Sequence, residues 1–171
     1  NEGKGTTVTL YVPLLSERAE GKIVPLKPKK ETIQPSAAAK GRVLMMDDEP
    51  IICAIASEML DKLGWQVTTV KNGTEAVAAY RAARDRGNPY SLVILDLSVP
   101  AGMGGRETIR QLRVMDPNVV AIVSSGMQQD PVVTNYEQFG FNGSLPKPYT
   151  FEDLEEVLSK LFAQEDNLLV S

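Results

Sequence analysis

The sequence predicts an α/β fold in which helices cover both faces of a doubly wound, five-stranded parallel sheet. Three observations carry this expectation. Between residues 41 and 164, short apolar runs of strand length alternate with longer stretches whose apolar residues recur at helical spacing. The central run, Leu92-Val93-Ile94-Leu95, is uniformly apolar, the pattern of a strand buried on both faces of a parallel sheet. It ends abruptly in a lone carboxylate, Asp96, and the whole stretch is bounded by Pro89 and Pro100. Ligands of open α/β sheets sit outside the carboxyl ends of the strands, so Asp96 stands where chemistry is expected rather than core packing.

Taken in order, Val43-Leu44-Met45-Met46 predicts the first strand, ending in Asp47-Asp48-Glu49. Pro50 suits the first turn of a helix, and the acidic residues suit its N-terminus. Ile51, Ile52, Ile55, Met59, Leu60 and Leu63 form the expected apolar stripe, closed by Gly64, and Cys53 is expected in the core beside Ile52. Trp65 to Val70 is the second strand. Asn72-Gly73 turns the chain into a helix through Ala76, Val77 and Tyr80, which ends around Gly87-Asn88-Pro89. After the strand that carries Asp96, a Gly-rich loop at 101–105 leads into a helix with Ile109, Leu112 and Met115. That loop lacks the Gly-x-Gly-x-x-Gly spacing of a dinucleotide site. Val119 to Val123 is the fourth strand, ending in Ser124-Ser125-Gly126, and a looser helix is expected across Pro131 to Phe139. Phe141 to Leu145 makes a weak fifth strand, ending in Pro146-Lys147-Pro148. Thr150, with Asp153 three residues later, caps a last helix whose face is Leu154, Val157, Leu158, Leu161 and Phe162.

Composition narrows the function. A chain of 171 residues accommodates one good domain plus extra segments. A net charge of −4 suggests no bulk attraction to nucleic acid or to an anionic membrane. No apolar run approaches the ~20 residues needed to span a bilayer, and the N-terminus lacks a signal-peptide pattern, so a cytoplasmic location is expected. The single cysteine forbids an internal disulfide and fits a reducing compartment. The absence of histidine removes imidazole acid–base catalysis, the common zinc sites and any histidine phosphodonor within the chain. Residues 16–40 carry Pro25, Pro28, Pro35 and Lys27, Lys29, Lys30 without periodicity, and are expected to be a flexible linker. Residues 165–171 form a tail with no evident packing role.

The residues at the strand ends form one set. The first strand delivers Asp47 and Asp48, the third Asp96, the fourth Ser125 and the fifth Lys147. An acidic run before a helix commonly does no more than complement the helix dipole, the role expected to remain with Glu49. Carboxylates brought together at close range, however, repel and call for a cation. Oxygen-only donors favour Mg²⁺, with Mn²⁺ possible, over zinc, and no EF-hand pattern points to Ca²⁺. A divalent ion beside Asp96, with Lys147 and Ser125 opposite, would cradle a phosphoryl group. Ser124 is the alternative hydroxyl; adjacency to Gly126 favours Ser125.

Asp47-Asp48, Asp96, Ser125 and Lys147-Pro148, with the loop Asp96-Leu97-Ser98-Val99-Pro100, resemble the receiver domain of two-component response regulators, over Arg42 to Phe162. The resemblance implies a flavodoxin-like (βα)5 fold of strand order 2-1-3-4-5. It implies that Asp48 and Asp96 bind Mg²⁺ together with the backbone carbonyl of Ser98, with Asp47 acting at least partly through water. Asp96 would take a phosphoryl group from phosphohistidine and lose it slowly by autodephosphorylation. Lys147 would contact Asp96 and the phosphoryl oxygens, and Ser125 would swing toward the new group. The implied partner is the phosphohistidine of a histidine kinase dimerisation domain or of a histidine phosphotransfer protein.

Residues 1–15, with Gly3-Lys4-Gly5-Thr6 before the alternating run Thr7 to Val12 and Pro13, resemble the end of the catalytic ATP-binding domain of histidine kinases. Kinase remnant, linker and receiver follow the order of a hybrid histidine kinase. The expectation is a piece from the C-terminal end of one, unable to phosphorylate itself from ATP, whose parent is anchored to a membrane, if at all, through other regions. One position departs from the family: Ser144 stands three residues before Lys147, where a Tyr or Phe is usual. A small hydroxyl cannot fill a ring's space, which shifts the expected output route to the segment after Ser125 or to Tyr149. Two other readings compete. A phosphatase forming an aspartyl phosphate would want a second aspartate where Ser98 stands. A phosphorylation-inert interaction module would not need every charged position retained.

Overall fold

The computed structural model describes residues 40–100 and 102–162. The expected kinase remnant at 1–15, the expected linker up to residue 39 and the expected tail lie outside the described residues. The elements are β1 (Gly41–Met46), α1 (Pro50–Lys62), β2 (Trp65–Val70), α2 (Gly73–Asp85), β3 (Leu92–Asp96), α3 (Gly105–Met115), β4 (Ala121–Ser125), α4 (Pro131–Thr134), a 3-10 turn (Tyr136–Phe139), β5 (Gly143–Pro146) and α5 (Phe151–Phe162). All strand pairs are parallel, in the order β2-β1-β3-β4-β5. The strand order reverses at β1, so a crevice opens between the carboxyl ends of β1 and β3.

Two cores explain the unbroken apolar strands. Side chains alternate along a strand, so Val93 and Leu95 face one core with Leu44, Met46, Ala121 and Val123. Leu92 and Ile94 face the other with Val43, Met45, Ile122 and Leu145. The first core is closed by α2, α3 and α4, the second by α1 and α5.

The inward face of α1 differs from the expected stripe. Ala56 and Leu60 are buried, with Ile52, Met59 and Leu63 packed beside them, whereas Ile51 is 72% and Ile55 47% exposed. The phase of the helix is set by 52, 56, 59, 60 and 63, and Ala56 occupies the place that a search for large apolar residues gives to Ile55. Cys53 also leaves the core: it is half-buried and lines a cleft.

The segment after β4 also departs from expectation. Instead of one loose helix, Asp130 caps the single turn of α4, its Oδ1 accepting from the Val132 amide at 2.7 Å. The chain breaks at Asn135, continues as a 3-10 turn and ends at Gly140 with φ +87°. β5 starts at Gly143 rather than Phe141. Phe141 is buried in the first core, while Asn142 clamps the start of β4 by donating to the Ala121 carbonyl and accepting from its amide. At α5 the expected reciprocal cap is present: the Thr150 amide donates to Asp153 Oδ2 at 2.8 Å and the Asp153 amide donates to Thr150 Oγ1 at 3.2 Å.

The phase of α1 predicts contrasting stabilities. Leu60→Ala should cost about 2–5 kcal/mol in urea unfolding. Ile55→Ala, at a largely exposed position, should stay within about 0.5 kcal/mol of the wild type.

Candidate functional site

Each acidic residue reaches the site because its strand ends there. The Asp47 amide still pairs with the Val70 carbonyl of β2 at 3.0 Å, which fixes the direction in which the Asp47 side chain leaves the sheet. Asp96 is the last residue of β3. Asp47 and Asp96 are 2% and 3% exposed, and Asp48 is half-buried. One carboxylate oxygen from each of Asp47, Asp48 and Asp96 lies within 4.8 Å of the other two.

Lys147 arrives from the far side. It follows β5, its amide donating to the Ser125 carbonyl, and its ammonium donates to Asp47 Oδ2 at 2.6 Å and to Asp96 Oδ2 at 2.7 Å. The other oxygens of these two carboxylates accept from the backbone: Asp47 Oδ1 from the Glu49 amide and Asp96 Oδ1 from the Ser98 amide, both at 3.0 Å. Burial opposes the lysine's charge, but the hydrogen bonds and fields of Asp47 and Asp96 outweigh it and hold the ammonium's pKa above its ordinary value. Burial pushes the nearby Tyr149 phenol up to about 12, and burial followed by the charge of Asp47 raises the Cys53 thiol.

The loop that leaves Asp96 doubles back on it. A Cβ at Gly105 would stand 2.6 Å from the Asp96 carbonyl oxygen, and one at Gly104 2.8 Å from that of Leu97. The expected Gly-rich loop is therefore a close-approach device that brings the start of α3 against the end of β3. The Gly73 amide, at the start of α2, braces the same loop by donating to the Met103 carbonyl at 2.7 Å. Ser98 lies exposed on this loop. Beside the acidic residues opens a cleft of about 380 Å³, lined among others by Asp47, Asp48, Cys53, Lys71 and Glu75.

The structure thus brings Asp47, Asp48, Asp96 and Lys147 together. Ser125 is fully buried at the end of β4, and its hydroxyl accepts from the Met127 amide at 3.1 Å, tied to its own loop. Glu49 is the N-cap of α1 without a side-chain capping bond, in line with its expected helix-start role. Ser144 is half-buried on β5 beside Val123. Sequence reasoning missed the Asp47–Lys147 pair and the Cys53 wall of the cleft, because neither depends on neighbours in the chain.

A doubly wound parallel sheet that gathers three carboxylates and one ammonium at its switch point defines a phosphoryl-acceptor domain of the two-component kind. Residues 43–159 match the response regulator receiver domain, and the chain belongs to that family. It is 26% identical over 166 residues to the sensor kinase CckA of Brucella abortus, covering 96% of this chain and 17% of that protein. It is 33% identical over 124 residues to the uncharacterized transcriptional regulatory protein YkoG of Bacillus subtilis, covering 72% of this chain and 50% of that protein. The chain therefore spans half or less of the length of these curated relatives. The solved receiver domain of the sensor histidine kinase PA1611 from Pseudomonas aeruginosa has a magnesium ion coordinated in its active-site cleft. It matches with a TM-score of 0.61 at 25% identity, covering 70% of this chain and 95% of that one.

Removing the ammonium tests the electrostatics. Lys147→Met leaves two buried carboxylates facing each other and should destabilise the metal-free protein by about 3 kcal/mol at pH 7. A raised folded pKa means that the stabilisation from the charged lysine is present below the unfolded value near 10.4 and is lost as pH climbs through the folded value. The gap between wild type and Lys147→Met in urea unfolding should therefore be the same at pH 7 and pH 9 and shrink above about pH 10.4.

Proposed function

We propose that Asp96 accepts a phosphoryl group from phosphohistidine, in a receiver that was part of a hybrid sensor kinase. The carrying observation is the Lys147 ammonium shared by Asp47 and Asp96 within a cluster of three carboxylates completed by Asp48. Three carboxylates and one ammonium leave a surplus of negative charge, and the donors are oxygens only, which suits Mg²⁺ or Mn²⁺. Asp47, Asp48 and Asp96 would hold the ion with the Ser98 carbonyl; bound there, it would neutralise carboxylate charge and polarise the phosphoryl oxygens. A carboxylate oxygen of Asp96 attacks phosphorus, the P–N bond breaks, and the imidazole nitrogen keeps the electron pair. Lys147 turns from the two carboxylates to the phosphoryl oxygens, offsetting their charge. Ser125 gives up the Met127 amide and donates its hydroxyl to the same group. Slow return to the free carboxylate occurs when water attacks phosphorus.

The donor docks, in this reading, on the outer face of α1. Ile51 and Ile55 are exposed there, one and two turns into the helix that begins beside Asp47 and Asp48. A helix bearing phosphohistidine, from a kinase dimerisation domain or a phosphotransfer protein, would cover both isoleucines while its imidazole reaches Asp96. The alignment with CckA along 96% of this chain supports the hybrid-kinase origin.

Incubation with Mg²⁺ and acetyl phosphate should add one phosphate to the protein, seen by mass spectrometry, and Asp96→Asn should abolish it. Turnover of many phosphoesters would point instead to a phosphatase, and no adduct to an inert module. Ile55→Asp should slow transfer from a phosphorylated histidine phosphotransfer domain by about tenfold or more, the weight of one interface anchor. Labelling by acetyl phosphate should stay within about twofold of the wild type, since the small donor needs no docking face.

A further inference from the structure

Ser124 is 1% exposed, and its Oγ is the one buried side-chain polar atom, among the described residues, without a hydrogen-bond partner. An unpaired hydroxyl in a core costs stability, and an alanine of nearly the same shape would not carry that cost. Its place in the sheet suggests what it serves. Ser124 is the register partner of Asp96 on β3 and of Leu145 on β5. Met45, Ile94, Ile122 and Leu145 all face the α1/α5 core. Two residues further on, strand alternation returns Asp47, Asp96, Ser124 and Lys147 to that same side, in that order across the sheet. Lys147 must therefore cross the end of β4, where Ser124 stands on the same side of the sheet, to reach Asp96 and Asp47. While the ammonium occupies Asp96 Oδ2, the Ser124 hydroxyl makes no hydrogen bond.

We propose that Ser124 is a second, hidden donor to the Asp96 carboxyl group, engaged when Lys147 leaves that group for a phosphoryl. The inference rests on Asp96 being the acceptor. Rotation about χ1 turns the hydroxyl onto the carboxyl oxygen that carries no phosphorus. In hydrolysis, water oxygen attacks phosphorus and the bond between phosphorus and the Asp96 oxygen breaks, its electron pair returning to the carboxylate. One water proton stays on the departing phosphate and the other passes to solvent. Negative charge grows on the carboxylate along this path, so the Ser124 hydrogen bond is stronger in the transition state than in the acyl phosphate and speeds hydrolysis. Ser125, one residue on, faces the other core and serves the phosphoryl oxygens instead.

The test compares wild type and Ser124→Ala, each labelled with acetyl phosphate and Mg²⁺ and then freed of donor. Ser124→Ala should take up the same single phosphate but keep it about three- to tenfold longer, the weight of one neutral hydrogen bond. Its Mg²⁺ affinity before labelling should match the wild type within about twofold, and its thermal midpoint should not fall. An unchanged lifetime overturns the proposal and leaves Ser124 a buried hydroxyl served by water. A lifetime change matched by an equal change in Mg²⁺ affinity also overturns it, since the substitution would then act on the architecture of the site. If the labelled wild type decays normally, failure of Ser124→Ala to differ touches only Ser124; no adduct on the wild type overturns the acceptor reading and this proposal with it.

Discussion

The constraint on which the structure depends is the sharing of one ammonium by two buried carboxylates. Asp47 and Asp96 sit on adjacent strands, nearly excluded from water, and carboxylates about 5 Å apart repel by roughly 3 kcal/mol at an effective dielectric near 20. Nothing in the immediate neighbourhood of either residue in the chain supplies a positive charge. The charge comes from Lys147, delivered by β5 from two strands away, at 2.6 and 2.7 Å. The strand order is what makes this reach possible, because β1, β3, β4 and β5 end side by side at one edge. Even so, one ammonium does not balance three carboxylates, and the remaining imbalance makes the site receptive to a cation and, beyond it, to a phosphoryl group.

Much of this was legible in the sequence because it depends on periodicity and on strand ends. The uniform run from Leu92 to Leu95 announced a doubly covered strand, and Asp47, Asp48, Asp96 and Lys147 each stood at a strand's end. Less legible was anything set by the third dimension. The inward face of α1 is defined by Ala56, whose small side chain gives a weak apolar signal, so Ile55 was expected to be buried although it is half exposed. The segment from Pro131 to Phe139 carries enough apolar residues for a helix, yet it breaks at Asn135 because Val132 and Val133 must be buried while the chain turns early toward β5. The unpaired state of Ser124 has no sequence signature at all, since Ser124 and Ser125 differ only in which face of β4 they occupy.

The face occupied also separates two routes by which a change at Asp96 can be felt elsewhere. Ser125 and Ser144 belong to the side of the sheet covered by α3 and α4, where Ser144 lies beside Val123. On that side, Arg113 of α3 donates to the Gly140 carbonyl and to Asn142 Oδ1, while Asp130 and Phe139 meet α3 through Arg106, whose guanidinium lies 4.9 Å from the Phe139 ring centre and 3.8 Å from Asp130. Half-exposed contacts of this kind contribute little, so the loop from Gly126 to Asp130 is held mainly by its own turn and by the Met127–Ser125 bond. Tyr149 packs on the opposite core with α1 and α5, where its phenol stays neutral beside Lys147.

These two sides differ in how much they can yield. A ring at 144 would have been a single large body able to trade a buried place for an exposed one; a serine there has no such pair of positions. Movement of Ser125 toward a phosphoryl group would break the bond that closes the 126–130 loop, on a face where α4 is one turn long. Tyr149, by contrast, follows Lys147 by two residues and packs, partly buried, against the α1/α5 core. The weak side is therefore the one that can change shape at low cost, and the strong side is the one that holds the lysine in register with Asp47 and Asp96.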